Sequence, residues 1–149
     1  MSIDVTVKRV IPLPPREVAR FAMDYRHDHE WTQGIRTAHL TRPAAEGGLG
    51  VGAQVTRTAY FLGKRIDYVL EIASFEPPTL LDMVSVIAPM PMHVTYRFDA
   101  HPNGTSASIR VRGGGNGFYR LAAPLLSWQV RRNLRKDLRD LQLRLTASA

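Results

Sequence analysis

The feature that most constrains the fold is the segment of residues 118–145, which reads FYRLAAPLLSWQVRRNLRKDLRDLQLRL. Its apolar residues recur at steps of three or four, which places them on one stripe of an α-helix. The members of that stripe are Val130, Leu134, Leu138, Leu141 and Leu145. Unbroken, such a helix would be roughly 40 Å long. Pro124 falls inside the pattern and predicts either a kink or the true first turn of the helix.

The opposite side of this predicted helix is basic. Residues 1–109 hold eleven Lys/Arg and eleven Asp/Glu, whereas residues 110–149 hold nine and two, which accounts for the whole formal net charge of +7. Such a face could dock on anionic lipid headgroups or an acidic partner, or it could simply be solvated, with Asp137 and Asp140 partly balancing it. The second interpretation is favoured because charged helix faces usually contact only water. We expect no nucleic-acid binding, since no aromatic residues interleave with the basic ones and no such motif is present.

The composition predicts one soluble domain over residues 1–149. The chain is 44% hydrophobic, enough to bury a core, and its length suits a single domain. It has no cysteine, which excludes disulfides, a thiol nucleophile and cysteine-based metal sites. We find no apolar run typical of a signal peptide or a membrane span, and therefore expect a cytoplasmic protein.

Upstream of the helix, most segments alternate between apolar and polar residues, as half-buried strands do. After an opening strand around residues 3–7, two short helical pieces are predicted near residues 15–22 and 24–31. Further strands are expected at residues 35–40, 53–62, 65–75, 80–87, 92–98 and 107–111. Tight turns between them predict an antiparallel meander, wet on one face, with the long helix covering the other. A strongly curved sheet on one helix is expected to leave a cavity that can bind a ligand.

The turn at Gly63-Lys64 predicts the register of the first hairpin. A two-residue turn there pairs Phe61 with Ile66 and puts Arg57 and Tyr68 on the inner face. The inner face would also carry Val55, Ala59, Leu70, Ile72, Leu81, Met83, Ser85, Ile87, Met92, Val94, Tyr96 and Phe98.

Four segments carry a resemblance to a known family: LPPREVARFAMDYRHDHEW, LGVGAQV, SFEPPTLL and GFYRLAAPLLSWQVRRNLRKDLRDL. On these, nearly the whole chain resembles the START-like, Bet v 1-like superfamily (SRPBCC), in its polyketide cyclase/dehydrase and lipid-transport branch. The resemblance implies an α+β helix-grip fold: a curved antiparallel sheet of about seven strands around one long C-terminal helix, with two short helices after strand 1. Members bind lipids, sterols, polyketides or hormones, and some catalyse cyclisation or dehydration. The fold therefore leaves the function open.

Arg57 is the most informative candidate residue. A guanidinium on an apolar face needs a partner, because an unpaired buried charge costs several kcal/mol. It could bind a ligand carboxylate or enolate oxygen, or it could reach water at the cavity mouth, or a turn longer by one residue could reverse the face. Tyr68 and Tyr96 could hydrogen-bond a ligand or be satisfied within the core.

Other candidates would shape the cavity or supply a proton. Met83, Met90 and Met92 suit an adaptable wall or plain core filling, and Phe21 and Trp128 are expected in the core or at the cavity rim. His27 is a candidate general acid/base, which makes His27, Arg57 and Tyr96 the catalytic candidates. His27 and His29 do not share a helix face, so we predict no metal site, and no cofactor is expected.

These observations leave three functional hypotheses. The leading one is a binding module for a lipid, isoprenoid or polyketide-like small molecule, held between sheet and helix. The alternative is a polyketide cyclase or dehydratase that uses the same cavity. The third is an interaction protein whose basic helix docks on an anionic membrane or an acidic partner.

Overall fold

The computed structural model describes residues 3–61, 63–88, 91–113 and 123–147, and of Phe61 and Ala123 only the backbone. The strands are β1 Ile3–Ile11, β2 Ile35–Arg42, β3 Gln54–Phe61, β4 Lys64–Glu76, β5 Leu80–Ile87, β6 Met92–His101 and β7 Gly104–Gly113. The helices are α1 Pro15–Ala22, α2 Asp28–Trp31 and α3 Ala123–Thr146, with a 3₁₀ turn at Tyr25–His27 before α2. The α+β order of one strand, two short helices, six strands and a long helix is confirmed.

The seven strands form one curved antiparallel sheet in the order β1-β7-β6-β5-β4-β3-β2. Strands β2 to β7 follow one another as the predicted meander. Strand β1 pairs with β7, with Ile3 opposite Gly113 and Ile11 opposite Thr105, so the first and last strands are neighbours. The short helices connect β1 to β2, which lie at opposite edges of the sheet.

Helix α3 covers the inner face of this sheet and packs chiefly on β1. Leu138 and Leu141 are fully buried, and the rest of the predicted apolar stripe packs against the same core. Pro124 is the second residue of α3 as the structure describes it. Residues 114–122, which include the glycine run and the first part of the predicted helix, lie outside the described residues. No helix among the described residues is long and apolar enough to cross a membrane.

The β3–β4 hairpin keeps the predicted face but not the predicted register. Phe61 pairs with Lys64, and Ile66 lies opposite Ala59 instead of Phe61. Gly63, which precedes the paired residue Lys64, has a positive φ of 78°. The displacement is two residues, and side chains alternate with a period of two, so the described inner residues keep their predicted face. Arg57 is accordingly buried, opposite Tyr68.

The far end of β5 departs from the predicted face. Leu81 and Met83 are buried as expected, but Ile87 is 66% exposed. The register explains the difference, because Leu70 pairs with Ser85 while the preceding residue, Val69, pairs with Ile87. One extra residue in β5 makes a bulge, which reverses the alternation beyond it. The prediction that Ile87 lies on the inner face is therefore wrong.

The turn from β6 into β7 requires glycine. Gly104 has a φ of 130°, and a Cβ built there would overlap the carbonyl oxygen of Ile11 on the neighbouring chain segment. Both the backbone conformation and the close approach exclude a side chain.

We expect Gly104→Ala to lower the free energy of unfolding by about 2 kcal/mol or more, measured by urea denaturation. The matched control is Gly47→Ala, since Gly47 has a φ of 88° but nothing within 4 Å of a built Cβ. That control should lose about 1 kcal/mol, the cost of the left-handed backbone alone. Equal losses in the two variants would show that the contact with Ile11 contributes nothing.

Candidate functional site

A cavity of about 220 Å³ lies between helix α3 and the inner face of the sheet. Its walls are mostly apolar, and strands and helix both contribute to them. Representative wall residues are Ala59, Ile66, Val94, Val111, Leu126 and Val130. Its volume is below the roughly 300–1,000 Å³ of pockets for drug-sized ligands, so it suits a smaller molecule.

The polar end of the cavity is built around a buried ion pair. Arg57 on β3 and Asp28 on α2 are 4% and 2% exposed. The Arg57 Nε donates to Asp28 Oδ2 at 3.0 Å, and Nη2 lies 2.8 Å from the same oxygen as an ion-pair contact. Burial alone would lower the pKa of Arg57, but the Asp28 carboxylate and the nearby tyrosine hydroxyls outweigh it and hold that pKa above its ordinary value. Arg57 therefore carries its charge, and Asp28 is its counter-ion.

Two tyrosines stand beside this pair. Tyr96 on β6 is buried, and its hydroxyl oxygen accepts a hydrogen bond from Arg57 Nη2 at 3.3 Å. Burial raises the pKa of Tyr96 to about 12, so the hydroxyl keeps its proton at neutral pH. Tyr68, opposite Arg57 on β4, is partly buried and lines the same cavity. Both tyrosine hydroxyls can donate a hydrogen bond to an acceptor on a ligand.

A carboxyl group on α3 lines the cavity itself, which Asp28 does not. Asp137 is 3% exposed, and its Oδ1 accepts the backbone N–H of Gln33 at 2.7 Å. Burial raises the pKa of Asp137 to about 7, and the Gln33 N–H offsets only part of that effect. The expectation that Asp137 helps to balance a solvated basic face is therefore wrong.

Asp137 was not predicted as a site residue, although its spacing in the sequence indicated a buried position. It follows Leu134 by three residues and precedes Leu141 by four, which places it on the buried stripe of the helix. Thr32 was missed too: its hydroxyl oxygen is buried beside the cavity and has no hydrogen-bond partner among the described residues. No periodicity distinguishes Thr32, which follows the short helix α2.

The remaining predicted site residues are divided between the cavity and other places. Met92 lines the cavity, whereas Met83 is buried next to Arg57 and Tyr96 in a small adjoining void. Met90 lies outside the described residues. Phe21 and His27 are not in the cavity lining; their rings stack on each other, with centroids 4.3 Å apart.

The positions of His27 and Trp128 test the predictions of a general acid/base and of a residue in the core or at the cavity rim. His27 Nδ1 lies 2.5 Å from Glu30 Oε2, so the nearest carboxylate partner of His27 is local and not part of the cavity. Trp128 is 56% exposed, with the Arg132 guanidinium 5.6 Å from its ring centroid. The expectation that Trp128 lies in the core or at the cavity rim is corrected, because its position on α3 faces away from the buried stripe.

Asp137 predicts a specific dependence of stability on pH. Its pKa of about 7 in the folded protein exceeds the ordinary value of 3.8, so the folded state holds the proton more tightly than the unfolded state. Protonated Asp137 adds up to about 4 kcal/mol to the free energy of unfolding. This contribution is fully present below about pH 4 and is lost as the pH rises through about 7.

We therefore expect the free energy of unfolding of the wild type, relative to Asp137→Asn, to fall between pH 4 and pH 8 in urea denaturation. The asparagine side chain of this variant keeps an oxygen that can accept the Gln33 N–H, which preserves the local geometry. Asp140→Asn is the control, because Asp140 lies one turn further along α3 and its side chain is 33% exposed. A wild-type profile parallel to that of Asp137→Asn would contradict the assignment.

Comparisons with known proteins agree with this fold. Residues 2–146 match the family described as polyketide cyclase / dehydrase and lipid transport. A search of curated proteins found no significant match.

Three solved structures illustrate the structural similarity. The protein TTHA0849 of Thermus thermophilus is 17% identical, with a TM-score of 0.79, and 100% of this chain and 99% of that one are covered. A START superfamily protein of Mycobacterium smegmatis is 10% identical, with a TM-score of 0.78 and 99% of each chain covered. The Zhui aromatase/cyclase of Streptomyces sp. R1128 is 14% identical, with a TM-score of 0.76 and coverage of 98% and 93%.

At these identities the structures establish a shared fold, and the family match spans almost the whole sequence. The chain thus belongs to the polyketide cyclase / dehydrase and lipid-transport family.

Proposed function

We propose that this protein binds a small hydrophobic molecule, such as a lipid, isoprenoid or polyketide-like compound, in the cavity between α3 and the sheet. The observation that carries the proposal is a partly open cavity with mostly apolar walls and a few polar side chains among its lining residues. Ligand sites typically have this composition. Membership of a family described by cyclase and lipid-transport functions supports the same conclusion.

The size of the cavity indicates how much of the binding free energy would come from apolar contact and how much from polar groups. A ligand that buries about 250 Å² of apolar surface gains about 6 kcal/mol at 25 cal/mol per Å². The loss of translational and rotational freedom on association is of comparable size. Apolar contact alone therefore gives weak binding, and the polar groups at the end of the cavity decide which molecule is retained.

A cyclase or dehydratase would use the same cavity. The Arg57 guanidinium and the Tyr96 hydroxyl, 3.3 Å apart, keep their protons at neutral pH and would act as donors to a ligand carbonyl oxygen. Donors of this kind polarise a carbonyl and stabilise a developing enolate. The similarity to a structure named as an aromatase/cyclase makes this the alternative proposal for the site.

Filling the cavity should abolish binding. Native mass spectrometry of the purified protein is expected to show a bound apolar molecule. Val111→Phe, which adds bulk to the cavity wall, should lose that molecule and bind the apolar probe naphthalene at least ten-fold more weakly, because a packed space tolerates little added volume. Binding is measured by the change in naphthalene fluorescence on titration.

The matched control is Val10→Phe. Val10 is also a strand valine, but it is 42% exposed and lies outside the cavity lining. Thermal unfolding of both variants confirms that they remain folded. Unchanged naphthalene binding by Val111→Phe would rule out this cavity as the binding site.

A second candidate function is docking on an anionic membrane through the exposed face of α3. Along that face, apolar and basic residues follow at steps of three or four: Leu125, Trp128, Arg132, Arg135, Arg139 and Leu143. Leu125 and Trp128 are 65% and 56% exposed, an arrangement typical of helices that lie in a lipid interface. Arg131 does not belong to this face, since its Nη1 donates to the carbonyl oxygen of Thr6 at 3.3 Å.

Reversing charge on this face should release the protein from anionic vesicles. We expect the wild type to co-sediment with vesicles of phosphatidylglycerol and phosphatidylcholine in a salt-sensitive manner. Arg132→Glu with Arg135→Glu should weaken that binding at least ten-fold, since each basic residue near the surface is worth about 1 kcal/mol.

The control is Arg65→Glu with Arg97→Glu, which changes the net charge equally but replaces exposed arginines of the sheet. If the two double variants lose binding to the same extent, the attraction comes from net charge and not from α3.

A further inference from the structure

We propose that the cavity selects a ligand with a neutral hydrogen-bond donor, such as a hydroxyl group, which binds the Asp137 carboxyl, in preference to a ligand that carries a carboxylate. This inference rests on the proposed binding function and names the chemical class of its ligand. It replaces the expectation that Arg57 receives a ligand carboxylate.

The first argument is that the positive charge in the cavity is already neutralised. Arg57 Nε donates to Asp28 Oδ2, Nη2 makes an ion-pair contact with the same oxygen, and both residues are almost completely buried. A ligand carboxylate would have to displace Asp28, leaving that carboxylate buried without a partner, or share the guanidinium with it. Either arrangement places an uncompensated negative charge in a medium of low dielectric constant, which is costly.

The second argument is that Asp137 has unused capacity to accept a hydrogen bond. Its Oδ1 accepts the Gln33 N–H, while its Oδ2 accepts no hydrogen bond among the described residues. Among the described residues, Asp137 is the one carboxyl group that lines this cavity, and Thr32 adds a buried hydroxyl without a described partner there. Buried polar groups are nearly always hydrogen-bonded, so the Thr32 hydroxyl points to a partner on a bound molecule, and Asp137 Oδ2 can accept a hydrogen bond from the same molecule.

The charged and titratable groups around Asp137 agree with this assignment. From the sheet, Arg57, Tyr68 and Tyr96 line the same cavity, but the Arg57 charge is paired with Asp28 of α2. On α3 itself, Asp140 contributes a further negative charge and accepts from Gln33 Nε2 at 2.7 Å. Burial raises the pKa of Asp137 to about 7, so an added carboxylate would meet repulsion as the pH rises, whereas a hydroxyl would gain a charge-assisted hydrogen bond.

Three bicyclic compounds of similar size test the inference: 2-naphthol, 2-naphthoate and naphthalene. At pH 8 we expect the wild type to bind 2-naphthol at least ten-fold more tightly than either of the others, since a hydrogen bond to a charged group is typically worth that factor or more. Between pH 6 and pH 8 the affinity for 2-naphthol should rise and that for 2-naphthoate should fall.

The variant Asp137→Asn should remove the preference for 2-naphthol and flatten both pH profiles. Asp140→Asn, measured at pH 8, should retain the preference, because Asp140 lies on the same helix but outside the cavity lining. The comparison of the three compounds and of the two pH profiles uses the wild-type protein, so it stands even if a variant folds poorly.

The outcomes separate this inference from the function on which it rests. Tighter binding of 2-naphthoate than of 2-naphthol, or an unchanged preference in a folded Asp137→Asn, overturns the assignment of Asp137 while leaving the cavity as a binding site. Failure of all three compounds to bind overturns the proposed binding function and this inference together.

Discussion

One helix has to cover one face of a seven-stranded sheet, and this mismatch in width governs the rest of the molecule. Six spacings of about 4.8 Å make a flat sheet of this size about 29 Å wide, whereas a helix with its side chains is about 10–12 Å across. The sheet must therefore curve around the helix. Where Leu138 and Leu141 approach it the contact is complete, and they are 1% and 0% exposed. Nearer the start of the helix, Leu126 and Val130 line the cavity instead.

The buried pair of Arg57 and Asp28 gives this cavity its polar end. It connects the sheet to the short helix α2, and the two residues lie on segments distant in sequence. Removing either partner would leave an isolated charge, which is far more costly than replacing both by apolar residues. The pair therefore specifies one arrangement of α2 against β3. Because of this pair, the charge of Arg57 is already neutralised within the protein. Asp137, in contrast, can still accept a further hydrogen bond.

The sequence predicted those features that depend on local periodicity. The stripe from Val130 to Leu145 identified the buried face of α3, and alternation identified the strands. The alternation of the β3 residues also predicted correctly that Arg57 lies on the inner face. The hairpin register differs from the predicted one by two residues, but only an odd displacement would reverse the faces of a strand. The family resemblance supplied the arrangement of these elements, which periodicity alone does not specify.

Features that depend on contacts between distant segments were beyond the reach of periodicity. The partner of Arg57 is Asp28, 29 positions away, and nothing in YRHDHEW distinguishes it from a surface carboxylate. The bulge that turns Ile87 outward depends on the pairing of β5 with β4. Asp137 differs from these cases, since it lies at helical spacing from Leu134 and Leu141. The charge of Asp137 suggested a solvated position, whereas its spacing indicated the buried face of the helix, and the structure agrees with the spacing.

The pairing of β1 with β7 has a consequence for how the protein assembles. Strand β1 is synthesised first, yet its hydrogen-bonding neighbour is the last strand of the sheet, and the helix that packs on it comes later still. Almost the entire chain must close as a loop before these contacts form, and such a high contact order is associated with slow folding. During translation the apolar side of β1, which includes Val5 and Ile11, remains exposed until its native partners are synthesised. Until the C-terminal helix leaves the ribosome, that strand is a nascent segment that chaperones could shield from aggregation.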